Sequence, residues 1–72
     1  MLTIEIDNIF RDNIEAILHK ANRYYNTSVN YLLVYSGDSF YIYNRYTLVH
    51  YEIPLLEGKL LLRKIKLSNL LI

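Results

Sequence analysis

The sequence predicts an α+β fold: a single small domain spanning 1–72, of order β-α-β-β-β-β, with one amphipathic helix packed on one face of a mixed, largely antiparallel sheet. Three observations predict it. Apolar residues recur at helical spacing from Phe10 to Tyr25, and the period then changes to two from residue 29 onward. Short turn-forming stretches punctuate the second half at regular intervals. A chain of 72 residues has room for one thin core, so a layer of helix on sheet is the economical way to close it.

The opening MLTIEI alternates, with Leu2, Ile4 and Ile6 on one side and Thr3 and Glu5 on the other, as in a half-buried strand. The helix is expected over 8–25, because Phe10, Ile14, Ile17, Leu18, Ala21 and Tyr25 share one stripe. Asp7 or Asn8 can cap its start, and NTS from Asn26 ends it with residues that favour turns. Strands follow near 29–35, 40–44, 46–53 and 60–67. They are joined by SGDS at Ser36 to Ser39, by a turn at Asn44 and Arg45, and by LEGK after Pro54.

With two-residue loops, Tyr35 opposes Phe40, Leu33 opposes Ile42, Phe40 opposes Val49 and Ile53 opposes Leu62. This register puts Tyr31, Tyr35 and Tyr51 beside the core under the helix. It puts Leu32, Val34, Tyr41, Tyr43, Tyr46, Leu48, His50, Ile65 and Leu67 on a second face, with Glu52 apposed to Arg63. One helix leaves that face bare unless the carboxyl-terminal LSNLLI folds back over it. The stretch from Tyr31 to Tyr51 holds six of the eight tyrosines, and the register divides them between the two faces.

Composition narrows the chemistry. There is no cysteine, which removes disulfides, thiolate catalysis and cysteine-ligated metal. His19 and His50 have no carboxylates at ligand spacing, so neither a metal nor a cofactor is expected. No glycine-rich phosphate loop exists, since Gly37 and Gly58 stand alone. No window is long and apolar enough to span a bilayer, and Glu5 and Asp7 occupy the place of a basic signal-peptide flank, so the expectation is a cytoplasmic protein with no membrane partner. The apolar share of 53% is high for so small a domain, and it points to a homodimer or another covering partner.

The net charge of +1 conceals an asymmetry: Lys59, Arg63, Lys64 and Lys66 follow Gly58 with no acid among them, whereas the chain before Gly58 sums to minus three. The best catalytic grouping is Tyr46, His50, Glu52 and Arg63, which the register brings together as in a small toxin-like nuclease, but an ordinary Glu52–Arg63 cross-strand pair beside an interface histidine is the preferred account of it. No catalytic residue is therefore assigned. The sequence reading is a non-enzymatic protein-binding module whose partner surface is Tyr41, Tyr43, Tyr46, Leu48, His50, Arg63 and Ile65. The abundance of Ile, Asn, Tyr and Lys indicates an AT-rich gene. The concrete form expected is a small phage or mobile-element inhibitor of a host machine, such as a CRISPR effector or a restriction enzyme, working in the host cytoplasm. The alternative is a nucleic-acid-binding protein that uses the basic strand through Lys59, Arg63, Lys64 and Lys66.

Overall fold

The computed structural model describes residues 1–70, with side chains described through Ser68. The α+β class holds, and the order is β1 (Leu2–Ile6), a 3-10 turn (Asn8–Phe10), α1 (Arg11–Lys20), β2 (Tyr31–Ser36), β3 (Ser39–Asn44), β4 (His50–Ile53) and α2 (Leu55–Leu70). The four strands form one sheet in the order β1-β2-β3-β4, and every pairing is antiparallel instead of mixed. The expected strand at 60–67 is a correction: those residues lie in the middle of α2, so two helices cover the sheet where one was expected. The alternative in which LSNLLI folds back over the second face does not hold for residues 67–70, which continue α2, while residues 71 and 72 lie outside the described residues.

The sequence explains α2 once the helix is in view. Pro54 stands just before it, where a fixed φ and a missing N–H cost nothing, and Gly58 N–H donates to the Pro54 carbonyl at 3.0 Å to close the first turn. Leucine, lysine, arginine and glutamate dominate the segment, all good helix formers. The obstacle is Gly58, which reads as a turn residue. It is buried against Phe40 of β3, and a Cβ there would fall 2.6 Å from the Phe40 Cβ and overlap the ring itself. Glycine is thus required by the close approach of helix to sheet.

The core lies on one side of the sheet. Ile6, Tyr31, Leu33, Phe40, Ile42 and Ile53 meet Phe10, Ile14 and Leu18 from the first helical segment and Leu61 and Ile65 from α2. Ile14, Leu18, Leu33 and Ile42 are sealed almost completely from solvent. Each such side chain contributes roughly 1.5–3 kcal/mol by leaving water, which makes this contact the main source of stability. An exposed ion pair links the two helices, with Lys20 Nζ donating to Glu57 Oε1 at 3.1 Å.

The first helix is shorter than expected at its carboxyl end. Asp7 does cap its start, accepting from Ile9 N–H at 3.1 Å through Oδ1. Asn22 then adopts a left-handed φ of 58°. Arg23 N–H bonds back to the Leu18 carbonyl at 2.8 Å and Asn22 N–H to His19 at 3.0 Å, a Schellman stop. Beyond it Tyr25 stacks on Tyr31 with ring centroids 5.2 Å apart, and Tyr31 Oη accepts from Asn26 N–H at 2.9 Å. These contacts fasten the connection to β2.

Gly58→Ala would raise intrinsic helix propensity by about 1 kcal/mol, yet overlap with Phe40 should reverse the sign. A net loss of roughly 1–3 kcal/mol by urea unfolding is expected. A gain would refute the close approach. A second expectation concerns pH. Burial raises the Tyr25 phenol above its ordinary value of 10.0, with Arg11 opposing the rise. A phenol whose folded pKa is raised stabilises the fold fully below the unfolded value, and that share is lost as pH climbs past it. Above pH 10.0 the protein should therefore lose stability more steeply than Tyr25→Phe, as read from unfolding midpoints.

Candidate functional site

The face turned away from the helices is built on two rungs that cross the entire sheet. One runs Glu5, Leu32, Tyr43, His50, and the other Thr3, Val34, Tyr41, Glu52. Because side chains alternate along a strand, these residues all point to the side opposite the core. Leu32, Tyr41 and Tyr43 are half-buried, Val34 is buried, and His50 and Glu52 are exposed. Among the described residues, no helix or strand covers this face.

Its centre is a cluster of three rings. His50 stacks on Tyr43 at 4.8 Å and 14°, which follows from their being direct partners across β3 and β4. Tyr41 meets both edge-on, at 5.7 Å from His50 and 6.4 Å from Tyr43. Rings held against one another lose little further freedom when a partner settles on them. The flanking aliphatics give an apolar floor, and the phenol hydroxyls and the imidazole supply polar edges.

Two other expected site residues lie in the β3–β4 loop, residues 45–49, which joins the strands that carry Tyr43 and His50. Tyr46 and Leu48 were expected on a strand reached by a two-residue turn, and the structure corrects this. Asn44 Oδ1 accepts from Tyr46 N–H at 3.0 Å and from Thr47 N–H at 3.2 Å, and its carbonyl accepts from Leu48 N–H at 2.9 Å. The side chain thus folds a longer loop. Phe40 consequently pairs with Ile53 instead of Val49. Tyr46, Leu48 and Val49 are exposed at 68%, 66% and 46%, so the loop presents apolar side chains to solvent at the end of the sheet where Tyr43 meets His50.

Leu48 holds a left-handed φ of 61°, a conformation that costs a leucine on the order of 1–2 kcal/mol. A strained backbone carrying an exposed leucine is poor use of the position for stability alone.

Arg63 and Ile65 do not join this surface. Both sit on α2 in the other layer, Arg63 exposed and Ile65 buried at 3% among core residues. The expected Glu52–Arg63 apposition is therefore corrected as well, and the grouping of Tyr46, His50, Glu52 and Arg63 is dispersed over a loop, an edge strand and a helix across the sheet. Lys59, Arg63, Lys64 and Lys66 stay together, all exposed, on α2 instead of on a strand. Among the described residues no three His, Asp or Glu side chains gather where they could hold a metal ion, and no helix is long and apolar enough to cross a membrane.

Leu48→Gly should relieve the backbone and raise stability by up to about 1 kcal/mol, since glycine accepts this conformation freely while costing more chain entropy. Thermal unfolding measures it, and a loss of stability would show that the Leu48 side chain is structural. No protein-family model matches the chain, and neither curated proteins nor solved structures gave a match.

Proposed function

We propose that this protein is a non-enzymatic protein-binding module that docks through Tyr41, Tyr43 and His50, extended by Tyr46 and Leu48. One observation carries the reading: a three-ring cluster beside aliphatic side chains, held by strand pairing and covered by no helix or strand among the described residues. Tyrosine and histidine edges around an apolar centre are the residue mix of protein interfaces. A second copy meeting this face about a twofold axis is one occupant, and a host protein is the other. The small size and the AT-rich composition favour a phage or mobile-element inhibitor of a host machine, such as a CRISPR effector or restriction enzyme, in the host cytoplasm.

The nucleic-acid reading is weakened by placement. Rings that would stack bases lie on one side of the sheet, and the cations Lys59, Arg63, Lys64 and Lys66 that would hold a backbone lie on the helix side. A single strand would need both on one surface.

Sedimentation at tens of micromolar and affinity capture from host lysate test the reading together. Tyr43→Ala should weaken whichever association is found by roughly 2 kcal/mol or more, with little dependence on salt, because buried aromatic area is not screened. An association unaffected by Tyr43→Ala and abolished by moderate salt would overturn it.

A further inference from the structure

The outward side of α2 is a second, separate surface. Leu56, Leu60 and Leu67 are exposed at 68%, 48% and 53% on the side opposite Gly58, Leu61 and Ile65, which face the sheet. With Arg63 they fall at spacings of four, three and four, the seam of a heptad repeat. Lys59 and Lys66 flank the seam on one side and Lys64 on the other, all exposed. The one acid of the helix at a flanking position, Glu57, is engaged by Lys20 at 3.1 Å. The seam spans three turns, about 16 Å at the usual rise.

We propose that α2 pairs through this seam with an amphipathic helix of a protein partner that carries aliphatic seam residues, acidic flanks and a carboxylate opposite Arg63. The charges select this occupant. A second copy of α2, in either direction, would set lysine against lysine at the flanks, where like charges repel. An anionic bilayer would draw Arg63 to the apolar depth of the three leucines, in the middle of the stripe, where a guanidinium is costly. A facing helix resolves both: its acids meet Lys59, Lys64 and Lys66, and its seam carboxylate takes Arg63 bidentately.

Fluorescence anisotropy of the full chain with two labelled peptides, each about three heptads long with leucine at the seam, tests this. One carries glutamate at the flanks and an aspartate to face Arg63, and the other carries lysine throughout those positions. The glutamate peptide should bind at least about tenfold more tightly, and its binding should weaken as salt rises. Leu60→Glu should weaken it about tenfold. Should that variant fail to fold, the exposed double change Lys59→Glu with Lys66→Glu decides, because it should erase most of the preference for the glutamate peptide, with only Lys64 and Arg63 left to attract it. Tyr43→Ala should leave this binding unchanged, which separates it from docking on the sheet face. Equal binding of both peptides by the unaltered protein, or an undiminished preference for the glutamate peptide in the double variant, would overturn the proposal. So would binding to phosphatidylserine vesicles without peptide binding, or a dimer that Leu60→Glu dissociates.

Discussion

The contact of Gly58 with Phe40 is the constraint on which the arrangement of this protein depends. At Gly58 the α2 backbone comes against the Phe40 ring itself, an approach that any side chain at that position would block. With α2 seated there, Leu61 and Ile65 reach the core that Phe10, Ile14 and Leu18 begin from the other helix. The same seating fixes the rotation of α2 about its axis. Leu56, Leu60 and Leu67 are then turned outward as a consequence of what is turned inward.

Placing both helices on one face divides the surface by chemistry. Aromatic rings collect on the bare side of the sheet, ordered by the pairing of Tyr43 with His50 and of Tyr41 with Glu52. The cations of the carboxyl-terminal third collect on the helix side. The two proposed surfaces face away from each other, so one can be occupied without hindering the other. A module of this size with opposed faces could bridge two partners, and the charge of one face and the apolar character of the other would make one association weaken as salt rises and leave the other little changed.

Much of the sheet was legible because side chains alternate with a period of two. Reading the Asn44–Arg45 turn too tight slipped the β3–β4 register by four residues, an even number, so His50 and Glu52 still pointed outward and Tyr51 and Ile53 inward. The loop itself was hidden, since Tyr46, Leu48 and His50 continue the alternation of a strand and nothing in that pattern reports the bonds that Asn44 makes to the backbone. The first helix was recognised by its stripe, but its end was placed late: Ala21 and Tyr25 keep the period, and only the left-handed Asn22 breaks it. The last element was misread for a different reason. Leu60 and Leu62 satisfy a strand as readily as Leu61 and Ile65 satisfy a helix, and Gly58 suits a turn as well as a close approach. The near absence of β-branched residues from Leu55 to Leu67 was the signal for helix. A helix over these residues takes Arg63 and Ile65 away from the tyrosine face and lines up Leu56, Leu60 and Leu67, whose spacing a strand pattern conceals.

The most direct test is the nuclear magnetic resonance spectrum of Gly58 and its neighbours. Backbone chemical shifts over residues 55–67 should be helical, and the Gly58 α-protons should show Overhauser contacts to the Phe40 ring together with upfield ring-current shifts. Extended-strand shifts over 60–67, with cross-strand contacts between Ile53 and Leu62, would contradict the account: the sheet would then have a fifth strand, the leucine seam would not exist, and Arg63 would return to the face that carries Tyr41 and Tyr43.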